Sequence, residues 1–544
     1  MDKLNKEQME LKSLARQVSD TFKRLNEARS HQLDEVKSLE ERIFGASDGT
    51  RKNGKKLYLP DAWEQFQTMK AHLIDVIYSN PEGLFDVFAK KSEDSELALA
   101  HKAMLNDVFE KSELRSEVEK IVNNLILTGE TTVFVGWDTK FKNARVWSDY
   151  LEDFEIKSFV DYDGIKVKTI AAQDFVFDTA RANNWESCPK IYRCYLELSE
   201  IKEFYDKKYL TQEVQNALLE GVLTSKEGKE VKGFKNGLVE LLEYWGDIRC
   251  KDGKLLKNQL ITVAMGEFVV RFEENPYINC PFIYANLIEN PTTKRGISPI
   301  KPVLALNSIS SEILNKQLDA YSLVVNPPYL APKGAFKGEQ VVSPGKIIEY
   351  DSSLLPQMPT PINFAPALSG WDFIQYFKNS IESATGIFRT MSGIQGQNNK
   401  TATETLQSAH GQNARINLII DGINRKIILP LVKKVAETIA NFDMQEYMLE
   451  IPVNGKKKHF MIDDKVKCGN FKYRYSDRKA TIERKYRYKE LCDSIVAFSK
   501  IPEVSSKIDW KECFKFAIEQ LGIENSSKFL KEEGFGDTET ITNN

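Results

Sequence analysis

From residue 402 to about 440 the sequence specifies one long amphipathic helix, and no other stretch restricts the fold as firmly. Leu406, Ala409, Asn413, Ile416, Ile420, Ile423 and Ile427 recur in steps of three and four, the spacing that lines side chains along one helical stripe. Thr401 stands where an N-cap belongs and Glu404 follows three residues on, which makes a capping box. Gly411, Gly422 and Pro430 lie inside the helix, and Pro430 is expected to kink or locally break it. The segment just before, "SGIQGQNNK" at 392–400, is its opposite: Gly, Gln, Asn and Ser with Ile394 the lone apolar residue. A polar loop is thus anchored to a firmly capped helix.

The chain has 544 residues, room for three or four domain-sized units. With 42% hydrophobic and 28% charged residues it is ordinary globular stock that can bury large cores. No apolar run reaches the ~18 residues of a membrane span, and the charged start "MDKLNKEQMELKSLARQ" lacks the apolar stretch of a signal peptide. The seven cysteines are odd in number and form no CxxC pair, which points to free thiols in a reducing compartment. Five scattered histidines speak against a zinc site. A formal charge of -3 lacks the basic footprint of a tight nucleic-acid binder and leaves loose contact open.

Hydrophobic periodicity orders the rest as α+β. Residues 1–43 are polar and helix-prone, and helices are expected at 61–79 and about 94–128, the latter ending at Gly129. Residues 130–290 read as strands, among them "TTVFVGW", "IKVKTIAA" and "LITVAMGEFVVRF", with one helix near 198–220. Asp163-Gly164 and Asp252-Gly253 are expected hairpin turns. Ser298 can cap a helix running to 325, with Pro299 at its first position and Ile300, Val303, Leu304, Asn307, Ile313, Leu314, Gln317 and Tyr321 on one face. The Pro-rich residues 327–366 read as a small β module, followed by a helix at about 369–385. A hairpin turns at Asn454-Gly455, "NFKYRYS" is a further strand, and the chain from 479 is helical and charged.

No catalytic constellation emerges, and the chain does not read as an enzyme. "GTRKNGKK" at 49–56 imitates a phosphate loop, but Lys56 stands where Ser or Thr should hold magnesium; a solvated basic loop is the better reading. His410 beside Glu404 and Gln407 reads as structural. "DYDG" at 161–164 lacks the rest of a calcium loop and reads as a turn. The basic cluster Arg474 to Lys489, with Tyr473, Tyr475, Tyr486 and Tyr488 interleaved, could stack on bases and more often forms a strand edge and helix. No cofactor and no metal are expected.

Three stretches, in this order, resemble the portal proteins, or head-to-tail connectors, of tailed bacteriophages, of the short-tailed type. They are "TIAAQDFVFDTAR" (169–181), "PFIYANLIENPTTKRGISPIKPVLALNSISSEILN" (281–315) and "TGIFRTMSGIQGQNNKTATETLQ" (385–407). The resemblance implies a portal fold: an α/β wing over 1–296, a stem helix at 297–326, a β clip at 327–368 and a second stem helix at 369–386. A mobile tunnel loop at 387–401, a kinked helix returning to the wing over 402–478, and a helical crown and polar tail at 479–544 complete it. It also implies a ring, dodecameric in this family, at one capsid vertex of the virion, assembled in the host cytoplasm. The implied partners are the terminase large subunit, the major capsid protein, a scaffolding protein where one is used, a tail adaptor and double-stranded DNA in the channel, with no membrane. Gln395, Gln397, Asn398, Asn399 and Lys400 would face that DNA, with Thr401 and Glu404 anchoring the loop. Neutral amides suit a channel through which DNA slides, since each added cation adds salt-dependent affinity. A collar or adaptor protein of the virion and a nucleic-acid-processing enzyme are the alternatives.

Overall fold

The computed structural model describes residues 2–44, 50–51, 54–78, 84–91, 94–148, 153–226, 231–250, 253–325, 329–330, 360–361, 370–387, 414–453 and 456–475. The chain forms two compact units, one of residues 1–74 and 87–473, the other of 75–86 and 474–544. Of the second unit only 75–78, 84–86 and 474–475 are described. The two principal sheets and the helices packed on them lie in the first unit.

Helices and antiparallel sheets mix in an α+β architecture. The largest sheet runs Phe268–Glu274, Leu255–Ala264, Leu238–Arg249, Lys190–Leu196, Phe175–Phe177, with Phe234–Lys235 pairing beside Leu238–Arg249. Its strands alternate between two apolar faces, as a strand's period of two requires. Leu242, Tyr244, Ile261 and Val263 face the Asp2–Glu27 helix through Leu14, Val18 and Phe22. Val239, Leu241 and Val270 face the helices Leu198–Phe204 and Gln212–Lys226 through Ile201, Val214 and Leu218. An aromatic cluster of Phe175, Phe177, Trp245 and Phe282 ties this sheet to a second, three-stranded one formed by Phe282–Asn286, Glu130–Ser148 and Asp153–Ile170.

Several expected helices divide. The N-terminal helix stops at Glu27 and resumes at Ser30; between them Arg29 turns inward and its Nη1 donates to the Phe175 carbonyl at 2.7 Å. The 94–128 helix is two, Ser95–Lys111 and Leu114–Thr128, parted at Glu113 with φ +50°. The 198–220 helix is also two. Gly129 ends its helix as expected, at φ +77°. A Cβ there would lie 2.2 Å from the Ile297 carbonyl carbon, so the position requires glycine on two counts.

One expected turn is overturned. Asp163 and Gly164 lie inside the Asp153–Ile170 strand, opposite Thr139 and Asp138. Asp163 Oδ1 accepts from Trp137 Nε1 at 2.7 Å and from Thr139 Oγ1 at 2.8 Å, so cross-strand partners satisfy a side chain that a turn would otherwise use. The register slips by one residue between Lys140 and Phe141, a bulge that absorbs the extra residue. "DYDG" is therefore strand, neither turn nor metal loop. At the other hairpins, Gly253 has φ +79° and Val453 pairs with Lys456, leaving two residues for the second connection.

The kinked helix runs Ala414–Ile423, a π turn at Asn424–Ile428, then Leu429–Phe442. Pro430 has no N–H for the carbonyl one turn back, and the wider turn lies directly ahead of it. Ile416, Ile420, Ile423 and Ile427 are buried, as their spacing predicts. Leu406, Ala409, Asn413 and His410, the clip piece "GKIIEY", and the helices from 479 lie outside the described residues. So do the tunnel-loop residues Gln395, Gln397, Asn398, Asn399 and Lys400 and the cap residues Thr401 and Glu404.

Candidate assembly surfaces

Strands Glu130–Ser148 and Asp153–Ile170 are far longer than a core requires. Their inner halves are buried through Val133, Val135, Ile165 and Val167. Among the described residues their outer halves pair only with each other, as a two-stranded ribbon. Register fixes its faces. On one, Phe141 opposes Val160, Asn143 opposes Ser158, Arg145 opposes Ile156 and Trp147 opposes Phe154. The other is mixed: Lys142 opposes Phe159, Ala144 opposes Lys157 and Val146 opposes Glu155. The first face is apolar and open: Phe141 is 66% exposed, Trp147 51%, Phe154 61%, Ile156 71% and Val160 56%. Trp147 and Phe154 meet edge to face, centroids 5.2 Å apart. The uncovered apolar area is on the order of 500 Å² at the ~200 Å² that a large side chain presents. That compares with ~800 Å² on one side of a standard protein interface.

A second surface is built on the Lys301–Val325 helix and its neighbour Gly370–Thr385. Ser298 Oγ accepts from Ile300 N–H at 3.3 Å and donates to the Ile126 carbonyl at 2.7 Å, so the expected cap also fastens the helix to the body. The buried line of this helix is Val303, Asn307, Ser310, Ser311 and Gln317, more polar than the expected face; Leu304, Ile313, Leu314 and Tyr321 are only half-buried. Small and amide side chains let an extended segment lie close. Ser311 Oγ accepts from Leu59 N–H at 3.1 Å, and Asn315 bonds both backbone groups of Leu57. Along Gly370–Thr385, Ile374, Ile381 and Thr385 are buried, while Trp371, Phe373 and Tyr376 are 51%, 55% and 64% exposed.

The two surfaces meet at Glu130. Its Oε1 accepts from Arg295 Nη1 at 3.2 Å, and its Oε2 accepts from Gly296 N–H at 3.0 Å and from Tyr284 Oη at 2.7 Å. Burial, with the Glu130 charge beside it, pushes the Tyr284 hydroxyl well above its ordinary range, so it stays a donor. The approach to the Lys301–Val325 helix is thus pinned to the root of the ribbon.

Residues 148–460 match the family of the phage SU10 portal protein. The chain belongs to that family. The match covers the return strand of the ribbon, both helices of the second surface and the kinked helix. A search among curated proteins finds no match. Of the motifs that carried the resemblance to phage portal proteins, the first supplies Asp174, bound by Arg193 at 2.8 Å, and Phe175 and Phe177 of the aromatic cluster. The second supplies Tyr284, Arg295 and Gly296 of the junction at Glu130, and the cap Ser298. The third lies outside the described residues beyond Ile387. In this portal-family chain the ribbon is the feature that reading by motif missed. Its signal was present in the alternation Phe154, Ile156, Ser158, Val160, obscured by interleaved charges and by the apparent turn at Asp163-Gly164.

No helix among the described residues is long and apolar enough to cross a membrane.

Proposed function

We propose that the chain assembles with copies of itself into a closed, dodecameric ring at one capsid vertex of the virion, the conduit for genome packaging and ejection and the platform for tail attachment. The observation that carries this is the match to the portal family over 148–460. The exposed apolar ribbon face supports it, because a two-stranded ribbon is marginally stable alone in water and an apolar face of this size marks an interaction site. A heterologous contact repeated around an axis closes into a ring. The exposed aromatics of the Gly370–Thr385 helix would meet the next subunit in the same way.

On this proposal residues 1–296 form the wing, 297–326 and 369–386 the stem, 327–368 the clip, 387–401 the tunnel loop, 402–478 the kinked helix and return to the wing, and 479–544 the crown. The protein is structural, with no reaction of its own. Terminase docks on the clip during packaging and a tail adaptor afterwards; the capsid shell, with a scaffold where one is used, surrounds the wing. The neutral amides Gln395, Gln397, Asn398 and Asn399, with Lys400 the one cation among them, face passing DNA. The test is a photoreactive residue at position 398 in filled particles. It is expected to crosslink to DNA, whereas one at position 202 on the outer helix Leu198–Phe204 does not. The reverse pattern contradicts the channel assignment.

A further inference from the structure

Arg29 is buried to 5% exposure, and no carboxylate among the described residues is bonded to it. Its Nη1 donates to the Phe175 carbonyl at 2.7 Å and its Nε approaches Asn26 Oδ1 at 3.5 Å. Its Nη2 is buried with no partner among the described residues. The carboxylates that act on it electrostatically, Glu130 and Asp174, are bonded to Arg295 and Arg193. Burial, with Arg295 nearby, holds the Arg29 guanidinium down at about 10; it remains a cation at neutral pH. Buried cations are normally paired, so this one is an exception that calls for a counter-charge.

Arg29 and Arg295 both line one cleft of about 780 Å³, between the Ser30–Phe44 helix, the 290–298 loop and the start of the Lys301–Val325 helix. Among the described residues the cleft wall holds one further lysine, Lys301, and one carboxylate, Glu35, which pair with each other at 2.8 Å, and also His31, whose Nδ1 lies 3.7 Å from Glu35. With Glu130 neutralising one arginine, the cleft keeps one positive charge. Thr179, Thr292 and Thr293 line it as well, adding hydroxyls to the two guanidinium groups. Paired guanidinium groups surrounded by hydroxyls suit a compact tetrahedral oxyanion.

We propose that this cleft binds a free oxyanion of the phosphate class, seated between Arg29 and Arg295. Such an anion cancels the residual charge, and a small turn of the Arg29 side chain toward the cleft would give Nη2 the acceptor it lacks. Arg29 is too deeply buried for the backbone of a DNA duplex to reach, so the ligand is the small anion itself. The site lies where the Ser30–Phe44 helix, the aromatic cluster and the approach to the Lys301–Val325 helix converge, so the anion would brace that junction. The proposal does not depend on ring assembly.

The test is a titration of the full-length protein with sodium phosphate, at ionic strength held constant with chloride. Thermal unfolding and 31P line broadening are the readouts. A saturable rise in Tm and saturable broadening are expected. Arg29→Met is expected to weaken the apparent affinity by about tenfold or more, the loss that accompanies one charge-assisted hydrogen bond. Arg29→Lys, which keeps the charge without the forked donors, serves if the methionine variant does not fold, and is also expected to bind more weakly than the wild type. No saturable response beyond chloride, an affinity unchanged in these variants, or a response to duplex DNA alone would each overturn the proposal.

Discussion

Asn315 is bonded to Leu57 in both directions: its Nδ2 donates to the Leu57 carbonyl at 2.7 Å, and the Leu57 N–H donates to its Oδ1 at 3.0 Å. A side-chain amide thereby takes the place of a neighbouring strand and holds the extended segment before Pro60 along the Lys301–Val325 helix. Asn315→Asp keeps the acceptor and removes the donor. Asn315→Ala removes both and is expected to cost about 1–2 kcal/mol at the ~1 kcal/mol a net hydrogen bond contributes. Limited proteolysis should then cut faster at residues 54–59, and thermal unfolding should drop by a few degrees. Unchanged proteolysis would show that the segment is held by something else.

The ribbon makes a sharper prediction. Phe154→Ser combined with Ile156→Glu places polar groups on an exposed apolar face. The subunit's own fold should survive, since both side chains are more than half exposed, while assembly is lost. Lys157→Glu, on the opposite face, should leave assembly intact. Sedimentation velocity distinguishes the cases; equal assembly by both variants would remove the ribbon from the interface.

His101 gives the pH dependence. It is fully buried, with Nδ1 at 2.7 Å from the Val466 carbonyl and Nε2 at 3.0 Å from Tyr473 Oη. The carbonyl can only accept, so Nδ1 carries the proton and Nε2 accepts from the tyrosine. Burial lowers the imidazole from 6.5 to about 4. The unfolded chain therefore takes up a proton between those values and the folded one does not, so this group's contribution to stability falls as pH drops from about 6.5 to about 4. Its size is at most about 3 kcal/mol at 1.36 kcal/mol per pH unit. Denaturation midpoints of wild type and His101→Gln across pH 7 to 4 should converge as the pH falls; parallel curves would exclude the effect.

Gly129→Ala is expected to be among the most damaging single changes. It combines a left-handed backbone with a clash against the Ile297 backbone, and strain of the first kind alone costs about 1–3 kcal/mol. Little soluble protein is expected on expression. A variant as stable as the wild type would mean that the contact between Gly129 and Ile297 relaxes freely.

Local patterns carried far into the fold where one apolar face decided the outcome. The Ile416–Ile427 stripe, the glycine stop at Gly129 and the cap at Ser298 all lie where their spacing or chemistry requires. Elements divided where a distant partner outweighed local propensity: Arg29 interrupts a helical run because Phe175, far along the chain, supplies its acceptor. Asp163-Gly164 looked like a turn because local chemistry favours one. Trp137 and Thr139, across the ladder, made it strand. The polar buried line of the Lys301–Val325 helix was hidden for a similar reason, since Asn315 and Ser311 acquire their partners only when residues 57–59 arrive. The ribbon was hardest to read, because an apolar face interleaved with lysines looks like an ordinary solvated strand until its register is known.

The ring itself is tested most directly by imaging the purified, assembled chain down its axis. A closed ring with a central channel is expected, with twelve subunits by resemblance to other portal proteins, and with the ribbon of each subunit against its neighbour. A protein that stays monomeric at every concentration, and in extracts of infected cells, would contradict it.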